Sequence, residues 1–113
     1  MIRHKNKPIE YLSNTGPTLD IISPELSGVC KSPMKIDIKF TPKEGSFINF
    51  SSLKVELLKI IPIDITHMVK PYTTEKGILA ENISLPKGMH KLKLTLCDNL
   101  GGKTQVVYNV TVV

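Results

Sequence analysis

Residues 85–113 read LPKGMHKLKLTLCDNLGGKTQVVYNVTVV, and this stretch decides the fold. Within it, His90, Leu92, Leu94 and Leu96 alternate with polar residues, and residues 106–112 repeat the pattern with valines and a tyrosine. Strict alternation is typical of half-buried strands, and the glycine-bearing segment DNLGGK between the two runs is typical of a tight turn. The stretch therefore predicts a β-hairpin whose apolar face needs a second sheet to cover it.

The period of two recurs upstream, in MKIDIKF (residues 34–40) and LKVELLK (residues 53–59), and shorter strands are predicted at residues 19–22 and 77–85. Residues 63–69 lie between two prolines, which favours an edge strand, with a helical turn as the competing interpretation. Phe47, Ile48 and Phe50 are expected to cap one end of the core. We therefore predict an all-β fold, an antiparallel two-sheet sandwich of about seven strands.

The chain of 113 residues is short enough for one domain. Residues 1–16 are predicted to be a flexible basic leader or linker, because the basic cluster comes before any strand signal and SNTGP (residues 13–17) is rich in turn formers. The sandwich domain is then expected to span residues 17–113. The basic cluster consists of Arg3, His4, Lys5 and Lys7.

The succession of PTLDIISP, MKIDIKF, SSLKVEL, DIT and LPKGMHKLKLTLCDNLGGKT resembles the bacterial immunoglobulin-like domains, which are E-set and fibronectin-III-like sandwiches. The likeness covers residues 17–113 and consists in the order and spacing of the predicted strands rather than in rare residues. It implies a non-catalytic interaction or spacer module of a surface or secreted protein, and it favours an extracellular or cell-surface location. One departure is that the chain has no tryptophan, so the core tryptophan of antibody domains is absent.

The net charge of +5 comes from fourteen lysines and one arginine, which are interleaved with ten acids. A nucleic-acid groove would favour arginine and exposed aromatic residues, and aromatic residues make up only 5% of the chain, so no nucleic-acid partner is expected. No apolar run approaches the roughly 20 residues that span a bilayer, and the basic start leads into no signal-peptide core. We therefore expect no membrane insertion.

The sequence carries no pattern of catalytic, metal-binding or cofactor-binding residues. The histidines are scattered without ligand spacing, and Asp98 with Asn99 is expected to bond its own backbone in a turn rather than to bind calcium. Cys30 and Cys97 should lie at opposite ends of the sandwich, which predicts two free thiols and leaves a cytoplasmic location open. We therefore expect a protein that is not an enzyme and that has no cofactor.

If the usual sandwich order holds, three strands lie side by side and their outward residues form one polar face with a lysine-rich centre. That face is the predicted partner surface for another protein, an adjacent domain of the same polypeptide or a polyanionic glycan. Its residues are Lys54, Glu56, Lys91, Lys93, Asn109 and Thr111.

A second candidate surface is the loop end that holds Phe47 to Phe50 together with the Tyr72 segment, where an exposed Tyr72 would bind a protein or stack on a sugar. Two other functions stay open beside the interaction module. One is a carbohydrate-binding accessory domain of a polysaccharide-active enzyme, and the other is a free-standing cytosolic or phage assembly protein.

Overall fold

The computed structural model describes residues 9–24 and 28–113, in which two β-sheets pack over one apolar layer. The large sheet has the order β1-β10-β9-β5-β6, with β3 also paired to β10, and the small sheet has the order β2-β4-β8-β7. All pairings are antiparallel except that of β3 with β10. The predicted all-β two-sheet sandwich is thus confirmed. The strands are β1 Ile9–Asn14, β2 Thr18–Ser23, β3 Val29–Cys30, β4 Met34–Thr41, β5 Ile48–Leu57, β6 Ile63–Asp64, β7 Thr73–Thr74, β8 Gly77–Ile83, β9 Gly88–Asp98 and β10 Lys103–Val112.

The predicted hairpin forms the centre of the large sheet. Leu94 lies opposite Val106 on one side and Val55 on the other, and all three side chains are buried. On the small sheet, Ile38 and Ile78 form a matching buried pair. The alternating pattern places these residues on the inner faces because successive side chains of a strand point to opposite sides.

The prediction that regular structure begins only after the SNTGP segment is wrong for residues 9–14. These residues form β1, which pairs with β10, and the chain then crosses to the small sheet through Thr15 and Gly16. The Thr15 amide donates to the Lys103 carbonyl at 2.8 Å, and a Cβ at Gly16 would lie 2.7 Å from the Lys103 nitrogen. Glycine is therefore needed where the two segments touch. The basic cluster at residues 3–7 lies outside the described residues.

The prediction that Phe47 and Phe50 cap the core is also wrong, because they are 73% and 42% exposed. The Phe47 amide donates to Oδ1 of Asn99 at 2.7 Å, and the Asn99 amide donates back to the Phe47 carbonyl at 3.1 Å. These bonds fix the backbone to the β9–β10 turn while the ring stays in water. Ile48 does pack against the core, as predicted.

The segment 63–69 combines both interpretations that the sequence allowed. Ile63–Asp64 forms the short edge strand β6 beside β5, and Thr66–Val69 forms one helical turn, α1, followed by a 3₁₀ turn at Lys70–Tyr72. Among the described residues there are ten strands rather than about seven. The three additional strands are β1, β3 and β7, and β3 and β7 have only two residues each, too few to leave a periodic signal.

Candidate interaction surface

The strand order places the six residues of the predicted polar face together on the outer side of the large sheet. Lys91 of β9 lies opposite Asn109 of β10, and Lys93 lies opposite Glu56 of β5. Lys54 and Thr111 occupy outward positions of the same strands. The adjacency of β5, β9 and β10, which was expected from the usual sandwich order, is thus present.

The centre of this face holds carboxylates as well as lysines, so the predicted lysine-rich centre is a charge-mixed one. The row through Lys93 runs from Glu10 through Val107 and Lys93 to Glu56 and then Asp64. Lys54 Nζ also lies 3.7 Å from Glu56 Oε2, whose side chain is only 14% exposed. A polyanionic ligand would meet both signs of charge here.

Tyr72 lies apart from that face, in the 3₁₀ turn beside the small sheet, and it is 54% exposed. It borders a shallow groove with Leu79 over Gly77. Phe50 lines a separate groove, and Lys70 donates to its carbonyl at 2.9 Å with the ammonium 5.2 Å from the ring centroid. The two grooves adjoin, because Thr74 and Lys76 line both of them.

A different surface emerges at the end of the sandwich where β5, β10 and β8 finish. We call it the basic apolar end and define it by loops 31–33, 58–62 and 84–87 together with Val29 of β3 and Met89 and Lys91 of β9. In the isoleucine loop, residues 58–62, Ile60 is fully exposed and Ile61 is 76% exposed. Val29 and Met89 flank Thr111 in one outward row beside it and are 67% and 78% exposed.

Several lysines lie at the same end of the sandwich as these apolar side chains. Lys31, Lys59, Lys87 and Lys91 are all exposed, and the sequences of the three loops contain no aspartate or glutamate. The carboxylates nearest to the isoleucine loop along the chain, Glu56 and Asp64, lie on β5 and β6. This end therefore carries a positive charge that its own loops do not balance.

The buried His90 holds the basic apolar end together. Its Nε2 lies 2.7 Å from the Pro86 carbonyl, which can only accept, so Nε2 donates. Nδ1 faces Lys59 Nζ at 3.3 Å, and an ammonium can only donate, so Nδ1 accepts. The isoleucine loop and loop 84–87 are thereby joined through one side chain that is 5% exposed.

Two further hydrogen bonds complete this linkage. The Leu58 amide donates to the Lys91 carbonyl at 2.8 Å, and the Leu85 amide donates to Ser32 Oγ at 3.2 Å. All three loops are therefore connected across the end of the sandwich. The alternation in the sequence predicted that His90 faces inward, which the structure confirms, but it gave no sign of the Lys59 partner, which lies 31 positions away.

The side-chain carboxylates of Asp98 and Asp64 accept hydrogen bonds from nearby backbone amides. Asp98 Oδ1 accepts from the Leu100 and Gly102 amides at 2.8 and 2.7 Å, which confirms the predicted turn role. Asp64 accepts from the Thr66 amide at 2.8 Å, and hydrogen bonds from the Thr66 side chain and backbone lower the pKa of its carboxyl. Within the described ranges, no three histidine, cysteine, aspartate or glutamate side chains cluster as metal ligands would.

Both cysteines are free, as predicted, and they lie at opposite ends of β10. Cys30 pairs with Val112, whereas Cys97 pairs with Lys103. Burial raises the pKa of the Cys30 thiol, which lies 3.6 Å from the Thr111 carbonyl. A raised pKa lowers the thiolate fraction, which is the reactive form.

Comparisons with protein-family models, with curated proteins and with solved structures found no match to this chain. In residues 9–24 and 28–113, neither helical turn has the length or apolar character that crossing a bilayer requires.

Proposed function

We propose that this chain is a non-catalytic immunoglobulin-like interaction module of a bacterial surface or secreted protein, and that it docks through the basic apolar end. The strand orders support the family assignment. The strand order β2-β4-β8-β7 of the small sheet corresponds to the A-B-E-D sheet of immunoglobulin constant-type sandwiches. In the large sheet, β5, β9 and β10 correspond to strands C, F and G. The fold class by itself implies no activity, so the argument for docking comes from the surface.

The observation that carries the docking proposal is the exposure of Ile60 and Ile61. Each isoleucine left in water forgoes about 1.5–3 kcal/mol of transfer free energy. Single exposed apolar residues are ordinary, but adjacent ones grouped with Met89 and Val29 mark an interaction site. The contacts of Lys59 and Leu58 hold this loop in place rather than letting it fold back over the sheet.

A carbohydrate-binding accessory role is the second candidate, and the exposed Tyr72 beside its groove is what favours it. Stacking on a glycan chain usually needs several aromatic faces in one plane, whereas each of the two adjoining grooves here is lined by a single aromatic residue, Tyr72 or Phe50. The spacer role and the free-standing assembly protein remain alternatives within the proposal. They differ from the docking module in requiring no contact at Ile60 and Ile61.

Site-specific photocrosslinking in the source cells tests the docking proposal. A photoreactive amino acid is placed at position 61, and the matched control carries it at position 100, because Leu100 is 69% exposed in the β9–β10 turn at the other end of the sandwich. The proposal expects a discrete adduct from position 61, with either a protein or a lipid, that excess unlabelled wild-type protein suppresses. Identical adducts from both positions, or none from position 61, would contradict it.

A further inference from the structure

We infer that the basic apolar end binds an anionic lipid bilayer surface, with Ile60 and Ile61 entering the boundary of the acyl chains and the surrounding lysines contacting the headgroups. This inference rests on the proposed docking function and names the partner. It concerns the interface of a membrane, not a span across it.

The shape of the surface favours a bilayer. Ile60 is fully exposed and Ile61 is 76% exposed, so the loop offers apolar side chains to the solvent rather than an enclosed groove. A protein partner would need a cavity shaped to receive these side chains, whereas a fluid interface accepts an exposed apolar group of any shape. Apolar side chains with lysines beside them are the composition that lies at the boundary of headgroups and acyl chains.

The charge of the surface specifies an anionic bilayer. Lys31, Lys87 and Lys91 come from three different segments at this end, and loops 31–33, 58–62 and 84–87 hold no carboxylate. Lysines near a membrane surface attract anionic headgroups over about one Debye length, roughly 8 Å at physiological salt. A hydrated polyanionic glycan would use the lysines but would leave the two isoleucines in water.

A second copy of this chain fits less well. A symmetric pair joined at this end would bring the same four lysines of each copy together, in a chain whose net charge is already +5. The linkage through His90 also keeps the lysines of loops 58–62 and 84–87 in a fixed arrangement around the isoleucines. Headgroup contact and apolar insertion are therefore available at the same time.

Vesicle co-sedimentation tests the inference. The vesicles are phosphatidylcholine alone and equal parts of phosphatidylcholine and phosphatidylglycerol. Wild-type protein is expected to bind the mixed vesicles about 100-fold more tightly than vesicles of phosphatidylcholine alone, because Lys31, Lys87 and Lys91 each contribute about five-fold. The double variant Ile60→Ser with Ile61→Ser should lose about 100-fold or more. The triple variant Lys31→Gln, Lys87→Gln and Lys91→Gln should lose most of the preference for phosphatidylglycerol.

Leu79→Ser and Lys39→Gln are the matched controls, because both positions are exposed on the small sheet, and each should bind like wild type. Thermal unfolding of every variant confirms that it is folded. The inference is overturned if wild-type protein fails to sediment with the mixed vesicles, or if the isoleucine variant binds them as well as the Leu79→Ser control.

The result separates this inference from the proposed function. A specific protein adduct at position 61 without vesicle binding would overturn the bilayer and leave the docking module standing. Neither an adduct nor vesicle binding would overturn both.

Discussion

The ammonium group of Lys59 lies 3.3 Å from Nδ1 of the buried His90, and this contact anchors the loop that carries Ile60 and Ile61. The opposite ring nitrogen of His90 binds the Pro86 carbonyl at 2.7 Å. One inward-facing side chain thus connects the core of the large sheet to two loops of the candidate surface. The arrangement explains why an apolar loop tip is held in water.

Replacing His90 should loosen that end. His90→Leu keeps an apolar fill but leaves the Pro86 carbonyl and the Lys59 ammonium without their partner, so the free energy of unfolding should fall by about 1–3 kcal/mol. Amide exchange of Leu58, whose N–H binds Lys91, should speed up while that of Leu94 follows global stability only. Lys59→Met is the control that removes the ammonium alone. Unchanged protection at Leu58 in His90→Leu would contradict the anchoring role.

Gly77→Ala should be strongly destabilising. Gly77 has φ +149°, and a Cβ there would overlap the Ile38 carbonyl oxygen of the neighbouring strand. We expect a loss of about 3 kcal/mol or more in urea unfolding. Gly45→Ala is matched for positive φ, at +82°, but meets no atom within 4 Å, so its loss should be about 1 kcal/mol. Equal losses at the two sites would show that the close approach at Gly77 is absent.

Leu94→Ala tests how much the packing between the two sheets contributes to stability. Leu94 is 1% exposed between Val55 and Val106, so truncation should cost about 2–5 kcal/mol. Leu79→Ala, at a residue 52% exposed, should change stability by less than about 0.5 kcal/mol. Chemical unfolding of both variants provides the comparison, and a small cost at Leu94 would be incompatible with a shared core.

Tyr108 should make the protein sensitive to alkaline pH. Burial raises the pKa of its hydroxyl above the ordinary range because the phenolate is poorly solvated. The folded state thus holds the proton more tightly than the unfolded chain. The resulting contribution to the free energy of unfolding is fully present below about pH 10. Above that pH it should decline by about 1.4 kcal/mol per unit.

Tyr108→Phe lacks the ionisable group, so the difference in unfolding free energy between wild type and the variant isolates the effect. The measurement is urea unfolding of both proteins from about pH 9 to pH 11. A difference that stays constant across that range would show that the phenol is not protected as described.

The sequence predicted the parts of the fold whose partners are close in the chain or whose faces differ clearly. Leu92, Leu94 and Leu96 alternate with polar residues because one side of β9 is buried, and that asymmetry can be seen without a structure. β1 was missed because its partner residues on β10 lie about 90 to 100 positions away, and the turn residues Asn14 and Gly16 interrupt its short pattern.

The candidate surface was predicted only in part. Strand periodicity identified the outward residues Lys91 and Lys93, but it could not place Glu56 opposite Lys93 until the register between β5 and β9 was known. Ile60 and Ile61 read as ordinary apolar residues, and the fact that they end in water depends on where β5 stops. Exposure of an apolar residue follows from tertiary packing and has no local signal.

The most direct test uses Ile61→Trp, because the wild-type chain has no tryptophan and the new indole reports only from this position. In buffer its emission should be that of a hydrated indole. Vesicles of equal parts phosphatidylcholine and phosphatidylglycerol should shift the emission to shorter wavelength and protect it from aqueous quenchers, while Leu79→Trp should not respond. An emission that is already blue-shifted in buffer, or one that stays unchanged with these vesicles, would contradict the account.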